Sequence, residues 1–236
     1  FTNLGLVAAM NHAEVPVRRR PRIAILATGD ELVPPGGIPG PDQIVASNGY
    51  GIAALIEAVG GEAIDLGIVR DDLVATVAAI EAGFARDVDA LVTIGGASVG
   101  DHDHVHSALA ATGVEFGFWK LAMRPGKPLM FGRRGPTRVL GLPGNPAASL
   151  VCSLLFVAPL VRALSGVADA APKTETLVLA RAVPPNDLRQ DYLRARLVVD
   201  AAGRLAAEPA DHQESSLLTR FAATDGLIVR PPHAPA

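Results

Sequence analysis

Apolar runs of two different periods alternate along the larger part of the chain. "RIAILATG", starting at Arg22, is short and almost continuously apolar, which predicts a strand buried on both faces. "SNGYGIAALIEAVGG" has helical spacing and a glycine pair to close it, and "EAIDLGIV" is a second strand. "DLVATVAAIEAGF" then predicts a helix and "DALVTIGG" a third strand. Such alternation predicts an α/β layer structure with a largely parallel sheet. "PLMFGRRGPTRVLGL" predicts a hairpin turning at Gly135 and Pro136, followed by a helix from about Pro146 to Ala163. After "SGVADAAPK" the texture changes to short strands, "TETLVLARAV", "DYLRARLVVD", "GRLAAEPA" and "DGLIVRPP", separated by Gly, Pro and Asp turns. The expected division is an N-terminal arm over residues 1–20, an α/β domain over 21–170 and a small all-β domain over 171–236.

Composition narrows the partners. At 236 residues and 49% hydrophobic content the chain can bury a sizeable core. A formal net charge of -3 supplies no global basic field, so nucleic acid is not an expected partner. Cys152 stands alone, which excludes a disulfide framework or a thiolate cluster and agrees with a cytoplasmic setting. The apolar stretch Ala147 to Val161 is shorter than the roughly 20 residues of a bilayer span and contains Pro159, so it reads as a buried helix and no membrane contact is expected. The chain opens without an initiator methionine, and an upstream portion is expected to be missing. Arg18, Arg19 and Arg20 read as a solvated linker, and "PPGGIPGP", Pro34 to Pro41, as a surface loop.

Candidate chemistry gathers where the strands end. In an open parallel sheet, ligands bind beyond the carboxyl ends of the strands. The first strand ends in "TGDE", with Asp30 and Glu31; the second in "RDD", with Asp71 and Asp72; the third in "GGASVGDHD", with Asp101 and Asp103. Acids from three strand ends suit a hard cation such as Mg²⁺. Each acid also has a plainer reading, and Asp72 and Asp101 fit helix caps.

Cations and free N–H groups complete the set. "FWKLAMRPGKP" supplies Lys120, Arg124 and Lys127, with Pro125 and Gly126 holding a fixed turn, which points to an anionic substrate. In "LPGNPAAS", Asn145 fits an N-cap and Pro146 the first helical position, and such a helix start binds phosphate or other oxyanions. His102, His104 and His106 would point in different directions on a helix, which disfavours a zinc site.

The motifs "ATGDEL", "LGIVRDD", "TIGGASVGDHD", "FWKLAMRPGKP" and "GLPGNPAAS", in that order, resemble the MoeA family of molybdopterin molybdenumtransferases, whose eukaryotic relatives include the E domain of gephyrin. The resemblance runs from about Glu14 to the end. It implies a three-layer MoCF (MogA-like) α/β domain followed by a small β-structured C-terminal domain. It also implies an enzyme that takes adenylylated molybdopterin and molybdate, inserts molybdenum into the dithiolene and releases AMP with Mg²⁺. On the same ground Glu31, Asp71, Asp103, Lys120 and Lys127 are the catalytic candidates, with Asp71 and Asp103 as metal ligands. Gly95, Gly96, Ser98, Arg124, Pro143, Asn145 and Pro146 are candidates for substrate contact, together with Arg194 of "DYLRARL" and Ser215 of "HQESS". A homodimer with a cleft between protomers, and a longer N-terminal portion, are family features. Arg124 stands where many members have lysine, which replaces a point charge by a planar fork. Two other readings use the same residues: a MogA-like adenylyltransferase, against which the β-rich tail and "LAMRPGKP" argue, and a non-catalytic scaffold.

Overall fold

The computed structural model describes residues 1–96, 104–214, 216 and 218–236. A short helix α1 (Thr2–Ala9) buries none of its residues. Strand β1 (Arg22–Thr28) follows, then β2 (Leu32–Val33) and β3 (Ile44–Val45), which pair in parallel at the foot of the proline-rich loop. Next come α2 (Asn48–Ala58), β4 (Glu62–Val69), α3 (Leu73–Phe84), β5 (Ala90–Ile94) and α4 (His104–Ala111). Strands β6 (Glu115–Trp119), β7 (Met123–Arg124), β8 (Met130–Arg134) and β9 (Thr137–Leu142) precede α5 (Pro146–Cys152). A π-helical turn, Ser153–Val157, joins α5 to α6 (Ala158–Leu164). The remaining elements are β10 (Val178–Leu179), β11 (Gln190–Val199), β12 (Leu205–Pro209), α7 (Leu218–Ala222) and β13 (Gly226–Arg230).

The main sheet has the order β4-β1-β5-β9-β8-β6. β1, β4, β5 and β9 run parallel, whereas β8 is antiparallel to both β9 and β6. It follows that β4, β1, β5, β9 and β6 all end on one edge. Burial explains why β1 is apolar throughout: Ile23 and Ile25 pack into one core with α2 and the Pro146–Leu164 helix, and Ala24 and Leu26 into a second with α3 and α4. Each fully buried Ile or Leu contributes about 1.5–3 kcal/mol, so this strand alone commits the sheet to a layer of helices on each face.

The C-terminal sheet has the order β10-β12-β11-β13, and β7 adds to it in parallel on β11. The C-terminal part is therefore mostly strand, but α7 makes it less than all-β. The "TETLVLARAV" segment contributes only the two residues of β10. The arginine run is not a free linker: Arg19 pairs with both oxygens of Asp89 at 2.6 and 2.8 Å, and Arg20 pairs with Glu57. These bonds hold the arm to the edge of the sheet opposite the strand ends.

Candidate active site at the strand ends

The turns that follow the parallel strands are stitched to one another. Gly29 N–H donates to Val69 O at 3.1 Å and Asp71 N–H to Asp30 Oδ1 at 3.3 Å, which ties the turns after β1 and β4. Gly95 N–H donates to Leu142 O at 3.2 Å, and Gly144 approaches the Cα of Gly95, which ties the turns after β5 and β9. Gly95 and Gly96 have φ of +95° and +61°. A Cβ on Gly95 would lie 2.4 Å from Thr28 O and one on Gly96 2.2 Å from Val105 Cγ2, so no side chain fits where these turns meet.

Between the turns lies a small cleft of about 50 Å³ whose walls include Glu31, Asn48, Gly95, Gly144 and Pro146. The carboxylate of Glu31 folds back over Gly29. Asp72 acts as the N-cap of α3, accepting from Ala75 N–H at 2.7 Å, so it belongs to the helix; Asp71 beside it does not cap. Pro143 is buried at the end of β9, and Asn145 takes the N-cap position of α5 with Pro146 in the first turn. The Asn145 side chain makes no capping bond, which departs from the expected cap. Asp103 and Ser98, like Asp101 and His102, lie outside the described residues, as does Ser215. Among the described residues no three His, Cys, Asp or Glu side chains form a cluster for a metal.

The cations approach from the β6 side. Lys120 directly follows β6, in the left-handed region at φ +73°, with its Nζ 4.2 Å from the centre of the Trp119 ring. Leu121 N–H donates to Lys127 O at 2.8 Å and Lys120 N–H to Leu129 O at 3.0 Å, closing the basic loop on itself. Gly126 lies against Cys152 of α5, so this loop rests on the helix that begins at the "LPGNP" turn. Arg124 points elsewhere: its Nε and Nη2 donate to Asp191 Oδ1 and Oδ2 at 3.0 and 2.6 Å, and the Asp191 side chain is only 2% exposed. His106 is stacked between Phe116 and Trp119 with ring centres 4.4 Å from each, a packing role that the sequence pattern did not suggest.

Arg194, on β11 three residues beyond Asp191, is fully buried. Its Nη2 donates to Glu214 O at 3.1 Å, while Nε and Nη1 are buried without a partner among the described residues. Burial pushes its pKa down, yet a guanidinium stays charged, so this is a buried cation with no carboxylate partner among the described residues. The accepting segment leads into α7, which packs beside α5. Cys152 is an inert thiol, pushed up to about 12 by burial.

Sequence reasoning missed Asn48. Its Nδ2 donates to Gly144 O at 2.7 Å, which fixes the amide orientation, and its Oδ1 is then buried without a partner among the described residues. The available signal was a polar "SN" pair at the start of an apolar helix that faces the strand ends.

Comparison with known proteins agrees with this geometry. Residues 24–163 match the family model for a probable molybdopterin binding domain, and residues 176–235 match that for the MoeA C-terminal region, domain IV. The chain is 38% identical over 233 residues to a molybdopterin molybdenumtransferase of Nostoc sp., covering 97% of this chain and 53% of that protein. It is 32% identical to the molybdopterin molybdenumtransferase of Haemophilus influenzae, covering 96% of this chain and 56% of that one. The structure of a molybdopterin biosynthesis MoeA protein from Pyrococcus horikoshii superposes with a TM-score of 0.82 at 31% identity, over 98% of this chain and 55% of that one. The chain thus spans about half the length of the curated relatives it matches.

Proposed function

Since the chain belongs to the MoeA family, carrying its molybdopterin-binding and C-terminal domains in order, we propose that it serves molybdenum cofactor biosynthesis by inserting molybdenum from molybdate into adenylylated molybdopterin, with release of AMP. The observation that carries this reading is the meeting of acids, glycine turns and an open helix start over one edge of the main sheet, with the uncompensated cation of Arg194 on the neighbouring strand system.

In this reading the pyrophosphate lies along the glycine turns at Gly95 and Gly96 and the start of α5, where N–H groups face an anion at little reorganisation cost. Ser98, Pro143, Asn145 and Pro146 shape that seat. Molybdate, a dianion, is drawn to Lys127 and to the free Nε and Nη1 donors of Arg194, with Ser215 and Lys120 beside it. Arg124 acts on substrate only through Asp191. Asp71 and Asp103 would hold Mg²⁺, with Glu31 near, and such an ion bound through one or two carboxylates supplies charge neutralisation at a pyrophosphate. A homodimer in the cytoplasm completes the proposal.

Replacing Asp71 by Asn, with Asp103→Asn as its companion, should lower AMP release from adenylylated molybdopterin in the presence of molybdate by about 100-fold or more. The circular dichroism spectrum should not change, because Asp71 caps nothing. Undiminished turnover would remove both acids from the mechanism.

A further inference from the structure

Around Arg194 the C-terminal sheet has a gap. On one side of β11, β13 pairs with residues 191–195 without a break. On the other side β7 covers residues 190 and 191 and β12 covers 195–199, so residues 192–194 face no strand among the described residues. Beyond β12 one further backbone bond forms, from Ala210 N–H to Arg194 O at 2.8 Å, and the ladder ends.

A side chain closes the gap. Gln213 Oε1 accepts from Arg194 N–H at 2.9 Å, and Gln213 Nε2 donates to Arg194 O and to Ala210 O, each at 3.0 Å. One amide thus meets both main-chain groups of Arg194, as a neighbouring strand would; a carboxylate in its place could accept but not donate. The two residues beside Gln213 then hold the Arg194 side chain, because His212 O and Glu214 O accept from Nη2 at 3.5 and 3.1 Å. Fastening Gln213 to the backbone of Arg194 therefore fixes the carbonyls that grip its guanidinium. Neutral oxygens leave the charge of the fully buried guanidinium uncancelled, whereas a carboxylate there would neutralise it.

Resting on the function proposed above, we propose that Gln213 is a positioning residue for molybdate, locking residues 212–214 onto β11 so that Arg194 is held by carbonyl oxygens and keeps Nε and Nη1 for the dianion. Those two nitrogens are buried without a partner among the described residues. Gln213 itself touches no substrate. Without its amide the segment is free, and Arg194 has to be ordered anew whenever an anion binds, which weakens molybdate and leaves the strand-end cleft as it is.

Molybdate binding to the enzyme is measured by calorimetric titration, and AMP release from adenylylated molybdopterin is followed as molybdate is varied. Gln213→Ala should weaken molybdate by about 5–10-fold in both measurements. The kcat at saturating molybdate and the KM for adenylylated molybdopterin should stay within about 2-fold of wild type. Because Gln213 acts through Arg194, adding Gln213→Ala to Arg194→Met should weaken molybdate no further. Gln213→Glu keeps the acceptor for Arg194 N–H and sets oxygen against oxygen in the other two contacts; it should repeat the loss, and it carries the test if Gln213→Ala does not fold. Wild-type molybdate affinity in a folded Gln213→Ala overturns the proposal. So does a loss that adds fully to that of Arg194→Met, or one that falls equally on both substrates, as a merely structural role would give. Calorimetry judges Gln213 whether or not AMP is released, so a wild-type enzyme that binds molybdate but releases no AMP overturns the functional reading alone.

Discussion

Arg194 is the residue at which stability and function pull apart. A buried guanidinium costs several kcal/mol unless it is paired, and here carbonyl oxygens satisfy only part of it. An oxyanion that completes the set binds the folded state alone and raises its stability by mass action. At a molybdate concentration one hundred times Kd the gain is about 2.7 kcal/mol, equivalent to a rise in melting temperature of roughly 5–10 °C for a chain of this size. Arg194→Met should abolish that rise, and differential scanning fluorimetry with and without molybdate measures both. A molybdate shift that survives in Arg194→Met would show that the anion sits elsewhere. Gly96 illustrates the opposite kind of constraint, in which geometry alone decides. Its φ of +61° and the 2.2 Å approach of Val105 leave no room for a methyl group, so Gly96→Ala should destabilise the fold by about 2–4 kcal/mol in urea melts. A loss below about 0.5 kcal/mol would mean that the turn is free to move.

Elements with local causes were legible in the chain, and those with distant causes were not. β1, β4, β5 and the β8–β9 hairpin follow from apolar runs and turn residues, because their burial is already written in their own residues. β7 is two residues long and exists because Met123 and Arg124 pair with Gln190 and Asp191, a partner 67 residues away, which no window of sequence contains. The same distance hid the role of Arg124, expected at the substrate. The Pro146–Leu164 helix was legible as apolar, but its π-helical turn was not; that turn lies just before Pro159, whose missing N–H forbids the ordinary bond. Glu31, Asp71, Gly95, Gly96 and the "LPGNP" turn were expected beyond the strand ends, and that is where they lie, because strand ends in a parallel sheet converge by rule. Asn48 is a polar residue at the start of an apolar helix, and only the cleft beside it gives that irregularity a meaning. The β7–β11 contact also carries a measurable coupling. Arg124→Ala leaves the buried Asp191 carboxylate unpaired and should cost about 3–5 kcal/mol. Asp191→Ala in the Arg124→Ala background should recover part of it in a double-mutant cycle. Additive losses would show that the pair transmits nothing between the sheets.

At the scale of the whole molecule, the two sheets meet, among the described residues, through a charged junction. Arg124 holds Asp191 and comes within 4.0 Å of Asp187, and Asp187 is bound by Arg189 at 2.8 Å. The Arg189 side chain, by donating to Asp187, is the main cause that brings the Asp187 carboxyl from 3.8 down to about 2; the Arg189 backbone N–H and the charge of Arg124 add to it. A folded-state pKa below the unfolded one means that the contribution is complete above about pH 4 and fades as the pH falls towards 2. The aspartate of the arm, Asp89, follows the same sign: burial raises its pKa, but the bonds from Arg19 and Arg22 outweigh that and leave it lowered. The central strands of the main sheet depend on apolar cores that do not titrate. Acidification should therefore loosen the junction before the main sheet. Hydrogen exchange read by mass spectrometry between pH 4 and pH 2 should show protection lost first in β7 and the start of β11, and later in β1 and β5. Asp187→Asn should remove much of the pH dependence of the first step and leave the second unchanged. Simultaneous loss in β11 and β1, unaffected by that substitution, would show that the junction charges do not govern how the two sheets are held together.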